Sequence, residues 1–410
     1  MPIYFTSLED PATVDNVLAF LEPYAPYTLG LIGNIVNSRP ELVKTIKMYT
    51  SFEVDFSKPV QPRPTVPTSP ANAEPTSNEG LFPSPALFSI VALQPREQAR
   101  FFCSADLKSS DPATPEEEAH VQEFFKEVIP IVAAFPRENE DGPTPEYDIN
   151  PVGVKGRGYH IGRVHEKWSP CLEPIAIQRS GPLVCFVRPP PPQTPSQVAF
   201  ASAGTGEAPY LKSDRWIISG FSPSDIDFIQ STSLIPRHKA YLESRAHTSI
   251  VVYDSHRTGT ISLNGSDETP IRKSNPVAWS IIQADGSFGV LWVEPSHRGL
   301  GLGDLVLNEC VNRCGTFHGF GGKKVTGTGI LGWQWADASS VNTRSIQFFS
   351  RQEGWRLGWG TQWITFDPDA DPETIDWSYR QIPTEESKER GWEKTPRVLL
   401  YQPEDKIVSE

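Results

Sequence analysis

The stretch Val290-Leu-Trp-Val-Glu-Pro-Ser-His-Arg-Gly-Leu-Gly-Leu-Gly303 decides the fold of this chain. Its first residues, Val290 to Val293, are apolar, β-branched or aromatic, which predicts a strand that stops at Pro295. Alternating glycines follow, and then an amphipathic run from Asp304 to Val311 that predicts a helix. Glycines let backbone N–H groups approach an anion, and a helix N-terminus adds the positive end of its dipole. The stretch therefore predicts a strand–loop–helix unit that binds a pyrophosphate.

Two other kinds of phosphate-binding loop do not fit this stretch. A dinucleotide fingerprint needs Gly-x-Gly-x-x-Gly after the first strand of a βαβ unit, and that spacing is missing. A nucleotide P-loop needs a Lys-Ser or Lys-Thr pair after its glycines, and none is present here. The stretch thus favours a different pyrophosphate-containing ligand.

The order Val293-x-Pro295-x-x-Arg298-x-x-Gly301-x-Gly303 resembles the acyl-CoA-binding motif of the GCN5-related N-acetyltransferase (GNAT) superfamily. The resemblance implies an α/β (α+β) fold with a mixed central sheet and flanking helices. It also implies acetyl-CoA or another acyl-CoA as co-substrate. The predicted elements between residues 211 and 366 follow the order of such a domain.

Within that superfamily, the chain is most similar to the glycine N-acyltransferase-like branch. Ala278 to Gly286 is similar to that branch's Trp-Ser strand and hairpin, and Asp337 to Asn342 to the element that closes its fifth strand. The first half of the chain resembles the branch's degenerate partner domain, with Tyr27 to Asn37 the most similar piece. The resemblance thus implies two GNAT-like halves, of which the first is degenerate.

The resemblance also implies how the acyl-CoA would be held. Backbone groups at the end of the fourth strand of the domain would bind the pantetheine arm; here they belong to Leu291, Trp292 and Val293. Arg298 would add positive charge near the pyrophosphate. Asn342 would lie near the arm or the thiol, although it serves equally well as a helix cap. Backbone N–H groups would bind the pyrophosphate, and the loop residues concerned are Gly299, Leu300, Gly301, Leu302 and Gly303.

The usual catalytic pair of the family is missing. Acyl transfer to an amine needs a base for the ammonium proton and an acid for the leaving thiolate. Ser287 stands where the branch has a glutamate base, and Phe349 stands where the superfamily has a tyrosine acid. Because a thioester is already activated, positioning and backbone donors could supply much of the rate. We expect a water relay to a carboxylate to serve as base, and the candidates are Glu294, Asp337 and Asp285.

Other reactive side chains have simpler interpretations. His297 lies in the loop and could face a phosphate, but an exposed loop histidine is the more common case. Cys310 and Cys314 share a helical face, yet His318 alone does not complete a metal site, so we expect core thiols and no metal. A cysteine protease or thioesterase would need a His–Asp arrangement that the sequence does not support. Two tryptophans on a predicted strand would either line an acceptor pocket or fill the core; they are Trp333 and Trp335.

Domain organisation follows from the proline-rich segments. We expect a degenerate N-terminal domain over 1–205, an acyl-CoA-binding domain over 211–366 and a C-terminal tail over 367–410, with Trp377 and Trp392 as docking anchors. Proline-rich insertions are predicted over 58–85 and 138–151, and a linker over 189–206. In the first domain the sequence predicts a helix within 7–26, a strand over Tyr27 to Val36 and a helix over Thr114 to Ala134.

Composition limits the partners and the compartment. The chain has 410 residues and a net charge of −13, which argues against binding to nucleic acid. No apolar run reaches the ~20 residues of a membrane helix. Five cysteines without a Cys-x-x-Cys pair suit a reducing compartment. We therefore expect a cytoplasmic protein, with access to the nucleus left open, and the sequence does not indicate its oligomeric state.

The function that these observations favour is an acyl-CoA-dependent N-acyltransferase. Its acceptor would be a small-molecule amine that enters between the two halves, with a protein terminus or lysine as a further option. The alternative is a non-catalytic acyl-CoA-binding or interaction protein, which the residues at positions 287 and 349 favour.

Overall fold

The computed structural model of the chain describes residues 1–36, 40–60, 85–94, 98–108, 111–134, 158–179, 182–189, 210–211, 213, 215–232, 239–257, 275–314 and 333–378. We call residues 1–189 the N-terminal half and residues 210–378 the C-terminal half.

The described residues form a mixed α/β structure. The strands are β1 (Tyr4–Ser7), β2 (Lys47–Thr50), β3 (Ser89–Gln94), β4 (Gln98–Cys103), β5 (Tyr159–His165), β6 (Ala176–Arg179), β7 (Leu183–Arg188), β8 (Tyr210–Leu211), β9 (Trp216–Ser219), β10 (Ser249–Asp254), β11 (Ala278–Ile282), β12 (Phe288–Val293), β13 (Gln334–Ser339) and β14 (Arg356–Phe366). The helices are α1 (Pro11–Leu21), α2 (Leu29–Val36), α3 (Pro40–Val43), α4 (Pro115–Ala133), α5 (Ser169–Leu172), α6 (Pro223–Thr232), α7 (Lys239–Ser244), α8 (Leu302–Cys314) and α9 (Thr343–Ser350).

Within the described residues the strands make one mixed sheet, in the order β1-β2-β3-β4-β5-β14-β7-β13-β12-β11-β10-β9-β8, with β6 beside β14. Each half repeats one topology. Antiparallel strands β1 to β4 lead through α4 to the parallel strand β5, and antiparallel strands β9 to β12 lead through α8 to the parallel strand β13. The predicted arrangement of a mixed sheet built from two halves is therefore confirmed.

The two halves exchange their last strands at the centre of the sheet. Strand β7, which ends the N-terminal half, pairs with β13, whereas β14, which ends the C-terminal half, pairs with β5. Strands β7 and β14 also pair with each other. Because each half completes the sheet of the other, neither half has a closed core without its partner.

Helices cover both faces of the sheet in each half. In the N-terminal half, apolar side chains of α4 and of α1 with α2 pack on opposite faces. In the C-terminal half, α8 and α9 cover one face and α6 and α7 the other. A smaller cluster joins Leu29 of α2 to Trp335 and Cys185 on the central strands. Helix α2 thus lies across the junction of the halves.

Most predicted elements are present, but Tyr27 to Val36 was wrongly predicted as a strand. Leu29–Val36 is helix α2, and its residues from Leu29 to Ile35 are buried. A segment that is buried on every side shows no periodicity that separates a helix from a strand. The prediction over Thr114 to Ala134 is confirmed, since Thr114 caps α4 and forms a capping box with Glu117.

The proline-rich insertions and the linker lie outside the described residues except at their ends, as does Trp392. Trp377 docks on α4, as predicted: Gln122 Nε2 donates to its carbonyl at 2.8 Å, and Lys126 Nζ lies 5.6 Å from its ring. Among the described helices, none combines the length and the apolar character that a membrane span requires.

Candidate functional site

The loop between β12 and α8 exposes a row of backbone N–H groups. Gly299 and Gly301 have φ values of +80° and +76°, which favour glycine, and a Cβ on either would meet nothing within 4 Å. Among the described residues, no N–H group from Gly299 to Asp304 has a hydrogen-bond partner. The first intrahelical bond of this turn runs from Leu305 N to Gly301 O at 2.9 Å. The open loop therefore presents unpaired donors at a helix N-terminus, as an anion site requires.

Helix α9 supports the start of α8. Gly303 lies so close to Phe348 that a Cβ would come within 2.9 Å of the ring, which explains a glycine there. Gln352 Nε2 donates to Asp304 Oδ1 at 2.7 Å. The side chain of Leu300 is 47% exposed, so its contribution to the loop is its backbone. These contacts fix the N-terminus of α8 beside α9.

Strands β12 and β13 separate into a wedge beside this loop. They pair in parallel at one described position, Phe288 with Ala336, whereas β13 pairs with β7 at six. Strand β12 also carries a bulge opposite β11, where Val290 adopts φ +57°. A β-branched residue rarely adopts that conformation, and such strain clusters at functional sites. The wedge gives a ligand's extended arm access to a strand edge.

The three strand residues predicted to bind the arm border this wedge. Leu291 and Val293 pack toward the core beneath α8, and Trp292 packs toward the cluster beneath α6 and α7. All three are partly buried. Trp292 stacks on Trp279 with ring centroids 4.6 Å apart, so its side chain fills the core. Any ligand contact at Trp292 would therefore be through the backbone, as predicted.

Arg298 and Asn342 flank the wedge and the loop. Arg298 is exposed; its Nε donates to the carbonyl of Val293 at 3.1 Å, and its guanidinium lies 5.9 Å from the Trp292 ring centroid. The terminal nitrogens of Arg298 have no partner among the described residues, so they can face an anion. Asn342 Oδ1 accepts from Ser345 N at 3.1 Å, which makes Asn342 the cap of α9.

His297 is buried, and the expectation of an exposed loop histidine was wrong. Its side chain is 2% exposed, with Nε2 3.3 Å from Asp254 Oδ2 and Nδ1 2.5 Å from Glu294 Oε2. Burial acts to raise the pKa of Asp254, but hydrogen bonds from Arg215, from a backbone N–H and from His297 lower it to about 2. Ser296 Oγ donates to Glu294 at 3.0 Å. Glu294 and His297 thus tie the loop to the end of β10.

Asp337 lies at the apex of the wedge, directly after Ala336. Arg163 from β5 contacts both its oxygens, with Nε–Oδ2 and Nη2–Oδ1 distances of 3.0 and 3.2 Å. Burial raises the pKa of Asp337, and the charge of Arg163 limits that rise. Its side chain keeps 17% of its surface exposed, whereas that of Arg163 keeps 6%. Asp337 is therefore a paired carboxylate at the apex of the wedge whose side chain is not fully buried.

Asp285 and Ser287 form a closed hydrogen-bonded turn. Asp285 Oδ1 accepts from Ser287 N at 3.1 Å and from Ser287 Oγ at 2.7 Å. Asp285 Oδ2 lies 3.3 Å from Nη2 of Arg100, which belongs to β4 of the N-terminal half. Because both oxygens are occupied and the side chain is buried, Asp285 holds the hairpin and the halves together.

Several further predicted positions lie in the core or at its edge. Phe349 packs against Phe186 and Trp355, with centroid distances of 5.3 and 5.0 Å. Trp335 is buried beneath Arg163, whose guanidinium carbon lies 3.6 Å from its ring centroid, and Trp333 packs beside it. Cys310 is buried, as predicted, and the side chain of Cys314 lies outside the described residues.

The equivalent place in the N-terminal half cannot hold an anion in the same way. Helix α4 carries Glu116, Glu117 and Glu118 in its first turn, where they repel a phosphate. The buried Lys167 Nζ donates to two backbone carbonyls of the preceding segment, at 2.8 Å each. Among the described residues, an open glycine loop with unpaired N–H groups at a helix start is thus a feature of the C-terminal half.

Two buried arginines that reach across the halves to carboxylates were not predicted from the sequence. Arg100 lies in Gln98–Cys103 and Arg163 in Tyr159–His165, each the one arginine of an otherwise mostly apolar run. A buried arginine requires a buried partner. That rule would have pointed to carboxylates in other apolar runs, such as Asp337.

Comparisons with known proteins give distant structural likenesses. No family model matches the chain, and no curated protein matches it. A solved protein from Drosophila shares 14% identity and a TM-score of 0.47, covering 89% of this chain and 99% of its own. A GNAT-family acetyltransferase from Colwellia psychrerythraea shares 10% identity and a TM-score of 0.36, with coverages of 90% and 100%. A GCN5-related N-acetyltransferase from Kribbella flavida shares 13% identity and a TM-score of 0.29, covering 70% of this chain and 89% of its own. These values do not assign a family.

Proposed function

We propose that this chain is an acyl-CoA-dependent N-acyltransferase of the GNAT superfamily, of the glycine N-acyltransferase-like kind. The observation that carries the proposal is the loop from Gly299 to Asp304, with its left-handed glycines and unpaired N–H groups beside the wedge of β12 and β13. The pyrophosphate would bind those donors, with Arg298 at the rim. The pantetheine arm would follow β12 to the apex of the wedge, near the strained Val290.

The amine acceptor would approach from the side where α2 lies across the junction of the halves. Asp337 points to that side together with Trp335, whereas α8 lies on the opposite face. Of the three candidate bases, Asp337 is the best placed, because it follows the apex residue and keeps part of its surface exposed, whereas Asp285 is buried and has both oxygens occupied. Glu294 is held by Ser296 and His297, and we assign it to the loop instead.

In the proposed reaction, the amine nitrogen bonds to the acyl carbon and the carbon–sulfur bond breaks. The ammonium gives up two protons: one goes to Asp337 and then to solvent, and the other reaches the leaving thiolate. Backbone donors at the wedge would stabilise the developing oxyanion. The product pair is an amide and free CoA.

The second candidate is an acyl-CoA-binding protein without catalytic activity. Two observations favour it. Ser287 donates a hydrogen bond to Asp285 and cannot act as the base. Phe349 is a core residue without a hydroxyl and cannot act as the acid. This candidate keeps the loop and its ligand but not the reaction.

The experiment that tests the proposal is a calorimetric titration of the full chain with acetyl-CoA and, in parallel, with free CoA. Saturable binding of both is expected. Thiol release in the presence of a panel of small amines then separates the enzyme from the binding protein. If neither CoA species binds, both candidates fail.

A further inference from the structure

The N-terminal half reaches into the proposed reaction centre through Arg163. The side chain extends from β5 and contacts both oxygens of Asp337, on β13 of the other half, at 3.0 and 3.2 Å. A bidentate contact fixes the orientation of a carboxylate as well as its position. Arg163 therefore determines where the oxygens of Asp337 lie at the apex of the wedge.

The backbone and the neighbours of Arg163 hold this side chain in place. Arg163 adopts φ +58°, and the register of β5 against β14 shifts beside it, so a bulge re-aims its side chain. The guanidinium stacks on Trp335, and its Nη2 donates to Cys185 Sγ at 2.8 Å. A left-handed conformation is unfavourable for an L-residue, so the surrounding contacts must offset its cost.

Stability alone does not account for this buried pair. A buried ion pair is often no better for stability than apolar residues of similar volume. Arg163 has a strained backbone and contacts Asp337, a partly exposed carboxylate at the apex of the wedge. A role of Asp337 in the reaction explains this arrangement better than stability does. We propose that Arg163 is a positioning residue for acyl transfer, which holds the Asp337 carboxylate toward the attacking amine. This inference rests on the proposed function, and it gives the N-terminal half a direct part in the reaction.

A second pair supplies a matched control within the same interface. Arg100 also reaches from the N-terminal half to a buried carboxylate, Asp285, at 3.3 Å. Its side chain is 7% exposed, close to the 6% of Arg163, and it also stacks on a tryptophan, Trp363, at 4.6 Å. Asp285 is closed off by Ser287. Loss of Arg100 should therefore weaken the contact between the halves and act on Asp337 only through the charge of Asp285, which is a smaller effect than loss of its direct partner Arg163.

The groups that set the charge of Asp337 are few among the described residues. Arg163 faces it from β5, Cys185 from β7 and Asp285 from the hairpin. Burial raises the pKa of Asp337, and Arg163 is the positive charge that opposes this rise. Removing Arg163 therefore raises the pKa further, and the base becomes protonated over a wider pH range.

The test compares Arg163→Met, Arg163→Lys and Arg100→Met in the full chain, with acetyl-CoA and the best amine of the screen. Arg163→Met is expected to lower kcat by about tenfold or more, as for loss of a positioned base. The acidic limb of its pH–rate profile should move to higher pH, while KM for acetyl-CoA stays unchanged. Arg163→Lys should recover part of the rate, because it keeps the charge without the bidentate contact. Arg100→Met should lower thermal stability and move the acidic limb clearly less than Arg163→Met does, because it acts on Asp337 only through Asp285.

The possible failures are distinguishable. If the wild-type chain shows no binding or turnover, the proposed function fails and this inference fails with it. If the wild type turns over and the acidic limb of Arg163→Met coincides with that of Arg100→Met, only the inference is overturned. If Arg163→Met does not fold, Arg163→Lys tests the inference instead. A wild-type rate and pH profile in Arg163→Lys, whose ammonium cannot make the bidentate contact, would overturn the inference.

Discussion

Gly33 of α2 lies against the carbonyl of Asp285 so closely that a Cβ on Gly33 would come within 1.7 Å of the carbonyl oxygen. The contact joins the N-terminal half to the tip of the β11–β12 hairpin, which leads directly into the strand of the wedge. Because the neighbour is backbone rather than a flexible side chain, neither partner can move aside cheaply. The close approach of the two halves thus requires a residue without a Cβ at position 33.

We expect Gly33→Ala to destabilise the folded chain by about 1–3 kcal/mol or more, as an overpacked core contact does. Thermal or denaturant unfolding measures the loss. Gly30→Ala is the matched control on the same helix, because its nearest neighbour would be 3.6 Å from the new Cβ. Equal effects of the two substitutions would show that the close contact does not exist in solution.

The sequence predicted the C-terminal half better than the N-terminal half. The loop, the hairpin at Asp285-Gly286 and α8 follow from local rules about glycine, turns and amphipathic runs, and the structure contains all three. Helix α2 was missed because its surroundings, including Asp285, come from residues far away in the chain. The same holds for the exchange of β7 and β14, since both strands are encoded locally but paired by the whole fold.

Gly301→Glu tests the anion loop. Gly301 has φ +76° and open space at its Cβ, so a glutamate would place a negative charge beside the unpaired N–H groups. We expect affinity for CoA to fall by about tenfold or more, because like charges would meet at the proposed pyrophosphate site. Titration calorimetry measures this affinity. Gly301→Ala introduces the same backbone strain but no charge, so this variant should bind CoA more tightly than Gly301→Glu does. Unchanged affinity in folded Gly301→Glu would remove the site from this loop.

His165 should make the N-terminal half sensitive to acid. Burial, with a smaller effect from the charge of Lys167, lowers the pKa of His165 to about 3. The unfolded chain binds that proton near pH ~6.5. The folded state therefore binds fewer protons between these values, and stability is lost as pH falls from about 6.5 toward 3. We expect His165→Phe, which keeps a ring against Trp359, to reduce the loss of unfolding free energy between pH 7 and 5. An identical pH dependence in the variant would contradict this.

Asp106 should act in the opposite direction. Burial raises its pKa to about 7, although hydrogen bonds from Trp168 Nε1 at 2.6 Å and from Cys103 N at 3.2 Å oppose the rise. The folded state thus holds this proton more tightly than the unfolded chain does. Its contribution to stability is full below about pH 4 and is lost as pH rises through 7. Asp106→Asn should remove a slope of up to ~1.4 kcal/mol per pH unit in this range. Unfolding curves whose pH slope is the same as in the wild type would refute the assignment.

The chain of contacts from Arg215 through Asp254 and His297 to Glu294 predicts a further effect on ligand affinity. Arg215 holds Asp254 at 2.9 and 3.2 Å, and Asp254 holds the buried His297, which is next to Arg298 in the loop. This chain begins on the segment before β9 and ends on the residue that follows β12. It therefore fixes the loop before any ligand binds, so that ordering the loop would cost little on binding of the proposed acyl-CoA.

We expect His297→Phe to weaken the binding of free CoA by a few-fold to about tenfold, because the loop must then be ordered on binding. Asp254→Asn should give a similar loss, and the double variant should lose little more, since the two residues act through one contact. Ser296→Ala is a graded control: it removes the hydroxyl that contacts Glu294 and His297 Nδ1 but leaves the Asp254–His297 contact, so it should weaken binding less than His297→Phe. Additive losses in the double variant would mean that His297 and Asp254 act independently, and the loop would then owe its shape to the α9 contacts at Gly303 and Asp304 instead.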